Sequence, residues 1–204
     1  MPNVGLTITT KNAIITSQKT LLLKHAKFFP PHNMINECAH DEVIRMCYRR
    51  FMRIKPLVSQ RQMIQTTYVQ YLRYKFRTED YEEKLKASGI TLPKTSFDDS
   101  SQVYRSLLFC LKAVSTVKKG FSGEKDASAE IRRARNILKN ILTVEFEKSA
   151  LIAKNSGQNF TVLRKSFSYL RPSVENAANV SQFAPLRDFD RCLLALNITL
   201  GTRL

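Results

Sequence analysis

A chain of 204 residues with 43% hydrophobic and 25% charged residues can bury one core without metal or disulfide help, which excludes the disordered and disulfide-scaffold classes. Lysine and arginine outnumber aspartate and glutamate by 33 to 17, a net charge of +16, so the expected partner is nucleic acid, an anionic surface or an acidic protein. No apolar run approaches the roughly 20 residues that a membrane span requires.

Residues 1–36 contain no acid, carry Lys11, Lys19, Lys24 and Lys27, and are rich in threonine, which suits a mitochondrial presequence. The absence of arginine and the β-branched stretches LTITT and AIIT suit a retained, extended arm equally well. Pro30-Pro31 close this segment in either case.

Residues 37–154 read as a helical bundle. The first helix is expected to begin near Asp41, as its cap, and to stop at Pro56. Val43, Cys47, Phe51 and Ile54 form its inward face, and Arg45, Arg49 and Arg53 an outward stripe, with Tyr48 at the boundary. A second helix is expected from Ser59 to Ala87 with Gly89 as its stop, its core line being Ile64, Tyr68, Leu72 and Phe76. Between Ile44 and Thr78 there is no acidic residue, whereas Glu79, Asp80, Glu82 and Glu83 follow at once. Tyr71, Tyr74 and Tyr81 interleave with Arg73, Lys75 and Arg77, a pattern that fits bases stacked between cations or a packed helix edge.

The third helix, over 102–119, places Val103, Leu107, Cys110, Leu111, Val114 and Val117 on one wide apolar face and ends at Gly120 and Gly123. In the fourth, over 128–154, Ile131, Ala134, Leu138, Ile141 and Leu142 point inward, while Arg132, Arg133, Arg135 and Lys139 point outward. Residues 155–184 read as a loop with one short turn between Phe160 and Leu170. Over 185–204 the period returns in Leu186, Phe189, Leu193, Leu196 and Leu200, followed by Gly201 at a left-handed cap. The expectation is an all-α bundle of four to five helices with an extended N-terminal arm.

Catalysis is not expected. The only histidines, His25, His32 and His40, precede the bundle, and neither a phosphate-cradling glycine loop nor a dinucleotide fingerprint is present. His25, His32, Cys38 and His40 lack the paired-ligand spacing of structural zinc sites, so no metal and no cofactor is assigned. Cys38, Cys47, Cys110 and Cys192 read as reduced core thiols, and the sequons at Asn159, Asn179 and Asn197 as chance matches. The ending Gly-Thr-Arg-Leu has the Thr-x-Leu form captured by PDZ domains and approximates a peroxisomal tripeptide, but the same residues suffice to cap a terminal helix.

Met46-Cys47-Tyr48-Arg49-Arg50-Phe51 resembles the LYR-motif superfamily of small basic helical proteins of mitochondria, with Cys47 in place of the motif leucine and Phe76 where a second helix carries a motif phenylalanine. Val103-Tyr104-Arg105 is similar but lacks the second basic position. That resemblance implies an LYR-like bundle that seats an acidic protein, such as a mitochondrial acyl carrier protein, through Arg45, Tyr48, Arg49, Arg50, Arg53, Arg73, Phe76 and Arg77.

Five separated blocks, LTITTKNAIIT, YRRFMRIKP, YVQYLRYKF, RNILKNILTVEFEK and LNITLGTRL, resemble in order the yeast increased recombination centers protein 19 family, also described as required for respiratory growth. The resemblance implies mitochondrial location and a part in mitochondrial DNA maintenance, genome integrity and sporulation, with no assigned enzymatic activity. Two mechanisms remain open. One is the adaptor; the other is direct binding of DNA by the same patch with Arg132, Arg133 and Arg135.

Overall fold

The computed structural model describes residues 8–9, 13–15, 20–22, 26–31, 33–90, 99–116, 124–171 and 177–204. The expectations placed on His25, His32, Val117, Gly120 and Gly123 lie outside these residues.

The fold is all-α. Among the described residues five long helices form its body: α2 (His40–Val58), α3 (Gln62–Arg77), α5 (Asp99–Val114), α6 (Glu124–Lys154) and α8 (Ala177–Leu200). Three short ones join them, α1 (Met34–Glu37), α4 (Tyr81–Ala87) and α7 (Ser156–Arg164), with a 3-10 turn at Ser168–Leu170. Of the N-terminal arm, the described residues 8–9, 13–15 and 20–22 are extended and pair as an antiparallel meander of β1 (Ile8–Thr9), β2 (Ala13–Ile15) and β3 (Thr20–Leu22), in the register Ile8↔Ile15 and Ala13↔Leu22.

Amphipathic periodicity decides which faces meet. α2 packs on α3 and α5, α5 on α6, and α6 on α3 and α7. Val43, Cys47, Phe51 and Ile54 of α2 are buried against Tyr68 and Leu72 of α3, Val103, Leu107, Cys110 and Leu111 of α5, and Leu138, Ile141 and Leu142 of α6. Full burial of one such side chain stabilises by about 1.5–3 kcal/mol, so this core dominates the fold. Phe28 and Met34 belong to the same core, which therefore reaches into the segment that the sequence reading assigns to the arm at 1–36.

A second core holds Leu85 of α4, Leu163 of α7, Phe167 and Leu170 around the 3-10 turn, and Phe183, Leu186 and Leu194 of α8. This corrects the reading of 155–184 as a loop. Phe160, Leu163, Phe167 and Leu170 recur at intervals of three and four, an amphipathic signal masked by the polar residues between them. Phe167 takes a left-handed backbone, with φ of 46°, and its side chain is fully buried. Burial of that ring supports a conformation unusual for a bulky residue.

Three boundaries also differ. α2 begins at His40, with Ala39 as its cap and Asp41 in the first turn, and runs two residues beyond Pro56. The single helix expected over 59–87 is broken between α3 and α4: Thr78 N–H and Glu79 N–H both donate to Tyr74 O, at 3.0 and 2.9 Å. Asp80 then opens α4, its Oδ1 accepting from Glu83 N–H at 2.9 Å. α8 continues through Pro185, and Leu200, expected inward, is 41% exposed, whereas Leu194 is buried.

Gly89 and Gly201 are left-handed as expected, with φ of 74° and 60°. The turn at Gly201 sends the tail inward: Leu204 N–H donates to Asn197 Oδ1 at 2.9 Å, and Leu204 O accepts from Asn197 Nδ2 at 2.9 Å and Lys75 Nζ at 3.2 Å. Leu204 is buried, so in this conformation the Thr-x-Leu ending is a packed cap rather than a presented peptide.

Candidate functional site

The expected partner residues meet on the edge shared by α2 and α3. Tyr48 of α2 packs edge-on against Phe76 of α3, ring centroids 5.1 Å apart, and Phe51 lies 5.7 Å from the same ring. Both Tyr48 and Phe76 keep part of their surface in solvent. Arg49 follows Tyr48, and Arg73 and Arg77 flank Phe76; all three are exposed and, among the described residues, engaged by no hydrogen bond or ion pair.

The other arginines of the stripe serve the fold. Arg50 is buried and donates to Met46 O and Ala26 O, at 3.2 and 3.3 Å. Arg53 donates to Lys27 O at 3.1 Å, so these two guanidiniums fasten the end of the arm to α2. Arg45 is exposed, with Nε donating to Asp41 O at 3.2 Å within its own helix. On α6, Arg132 and Arg133 are exposed, whereas Arg135 donates to Ala113 O and Ser115 O, at 3.0 and 2.7 Å, and caps the end of α5.

Behind the α2–α3 edge lies a buried ion network spanning α3, α4, α6, α7 and α8. Glu79, wholly buried, is approached by Lys75 at 2.7 Å, Lys84 at 3.7 Å and Arg203 at 3.8 Å. Lys84 also reaches Asp190, at 3.4 Å. Asp190 pairs with Lys148 at 2.7 Å and accepts from the Tyr169 hydroxyl. Glu145 joins Lys148 at 3.1 Å to Arg164 at 2.7 Å, and Arg164 stacks 4.0 Å over Tyr74. Lys75 and Arg203 lie 5.4 and 5.0 Å from the Tyr81 ring. These tyrosines therefore stack on the protein's own cations, which is the packed-edge reading.

Burial alone would raise the pKa of Asp190, but Lys84, Lys148 and Tyr169 outweigh it and hold the carboxyl well below its ordinary range. Glu145 and Glu79 are held down in the same way by their cations. For Lys75 burial wins: despite Glu79, desolvation with Lys84 and Arg203 nearby pushes the amine down to about 8. Burial likewise pushes the Cys47 thiol up to about 11 and Cys110 to about 12, as expected for core thiols, whereas Cys192 is exposed and Cys38 only half-buried, so those two are not core residues.

Residues 8–204 match the family described as Increased recombination centres protein 19. The chain is 38% identical to Increased recombination centers protein 19 of Vanderwaltozyma polyspora over 98% of both chains. It is 37% identical to that of Eremothecium gossypii, over 100% of this chain and 92% of the relative, and 32% identical to that of Zygosaccharomyces rouxii, over 98% and 99%. The chain belongs to the Increased recombination centres protein 19 family. Membership is consistent with a role in genome integrity. No solved structure matches the chain.

In this family member the ion network is not legible in the sequence as a whole, because Asp190, Arg164 and Arg203 are distant from the partners they meet, although Lys75–Glu79 and Glu145–Lys148 are one helical turn apart. One local signal existed: Glu145 and Lys148 continue the inward line of Ile141 along α6, where an exposed charge does not belong. Among the described residues no cluster of histidine, cysteine, aspartate or glutamate is arranged to hold a metal, and no helix is long and apolar enough to cross a membrane. Asn197 of the third sequon is buried in the tail contacts.

Proposed function

We propose that this Increased recombination centres protein 19 family member is a non-enzymatic, LYR-like adaptor that serves mitochondrial DNA maintenance by docking an acidic mitochondrial protein, such as acyl carrier protein, on the α2–α3 edge. Respiratory growth and sporulation would depend on it through the maintained genome. The supporting observation is the half-exposed Tyr48–Phe76 ring pair with Arg49, Arg73 and Arg77 beside it, unengaged by any described residue. An aromatic anchor ringed by free guanidiniums suits a carboxylate-rich or phosphate-bearing protein face.

The test is the double charge inversion Arg49→Glu with Arg73→Glu, read by native affinity purification with a nuclease control. Surface changes of this kind shift stability by about 0.5 kcal/mol or less each, so the protein should remain folded at normal abundance. The acidic partner should be lost, respiratory growth should fail, and retention on DNA should change little. The second reading, direct DNA binding, draws support from the exposed Arg132 and Arg133 on α6. It is favoured instead if partners persist while DNA affinity and its salt dependence both fall.

A further inference from the structure

Between α2, α3, α5 and α6 the main core leaves a cavity of about 230 Å³. Its apolar wall includes Phe51, Tyr68, Leu138 and Ile141, and Lys75, Glu79 and Arg203 stand at its polar end. An apolar cavity of about 150 Å³ takes benzene, so this space suits a molecule of roughly ten heavy atoms.

Of the buried atoms without a hydrogen-bond partner that line the cavity, the Tyr71 hydroxyl is the neutral one. Tyr71 lines the cavity and is only 9% exposed, yet its oxygen has no hydrogen-bond partner among the described residues. A buried polar group in that condition is costly, and a native fold retains one where something else supplies the partner. The charged groups nearby are neutralised by ion pairs, Lys75 with Glu79 at 2.7 Å and Arg203 with Asp99 at 2.5 Å, although both Glu79 oxygens and Arg203 Nε lack a directed hydrogen bond. An entering ion would have to compete with those pairs, whereas a neutral oxygen needs only the free hydroxyl.

We infer that the cavity is a binding site for a small, neutral, predominantly apolar molecule with one hydrogen-bonding oxygen, of the phenol or alcohol class, whose oxygen meets Tyr71. The cavity borders the α2–α3 edge, sharing Phe76 and Arg77 with it, but its own test at Tyr71 does not depend on the adaptor reading.

Para-cresol, toluene and para-toluate are suitable probes, because they share one ring and differ in the polar group. Binding to the full chain is measured by ligand-observed NMR and by calorimetric titration, for the natural protein and for Tyr71→Phe. The natural protein should bind para-cresol more tightly than toluene and should not bind para-toluate. Tyr71→Phe should fold with undiminished melting temperature, lose roughly 3- to 10-fold in para-cresol affinity, the worth of one hydrogen bond, and keep its toluene affinity. The inference is overturned if para-cresol does not bind, if para-toluate binds as well, if the substitution weakens both neutral probes equally, or if it lowers the melting temperature.

Discussion

At Asp190, two ammonium groups and a tyrosine hydroxyl converge on one carboxylate that water does not reach. Removing one partner of a buried pair leaves the rest uncompensated at a cost of about 3–5 kcal/mol, so Asp190→Ala should lose that much in urea unfolding. Breaking the exposed Lys112–Glu130 pair should cost far less, although its separation is 2.5 Å, because water screens and solvates both ions. Equal losses at the two sites would mean that Asp190 is not enclosed as described. Charge alone hid this difference in the sequence. Composition groups Arg50 and Lys75 with the basic surface, but Arg50 is three residues from Cys47 and Lys75 three from Leu72, positions on the inward side of their helices. Arg49 is exposed, as its place on the outward stripe predicts, and Arg73 and Arg77 are exposed as well.

At the scale of the element, long helices with unbroken apolar lines were legible and short ones were not. The inward faces expected for α2 and, up to Val114, α5 are in the core, as are Tyr68 and Leu72 of α3, whose Ile64 and Phe76 are only partly buried against it; three or more turns make the period unmistakable. α4 and α7 span only 7 and 9 residues and draw their stability from the second core, a tertiary effect that local pattern does not announce. The α3–α4 break rests on one side chain, the Asp80 cap. Asp80→Ala should cost about 1 kcal/mol, which lowers the melting temperature by about 2–4 °C in a domain of this size. A scanning-calorimetry melt that does not move would show that tertiary packing, rather than the cap, holds α4 in place.

For the whole molecule, the network makes stability a function of acidity. Asp190, Glu145 and Glu79 all have pKa values below the ordinary carboxylate range, so each contributes stability that is present above about pH 4 and lost as pH falls through its folded value. Unfolding free energy should therefore decline steeply below about pH 4, and the decline should be shallower in Asp190→Asn. Lys75 acts in the opposite direction. Its folded value of about 8 lies below the ordinary 10.5, so between these the unfolded chain holds more protons and this group's contribution to stability rises with pH. Chemical denaturation across the pH range measures both limbs.

The inward tail also has a meaning for the order in which the chain is made. Lys84 meets an acid 106 positions later, and Lys75 meets a backbone oxygen 129 positions later. At about 5–20 residues per second, a ribosome separates Lys84 from Asp190 by roughly 5 to 20 seconds. During that interval Lys84 and Lys148 are without the carboxylate they share, Asp190, although Glu79 and Glu145 are already beside them. Completion of the network therefore waits for α8.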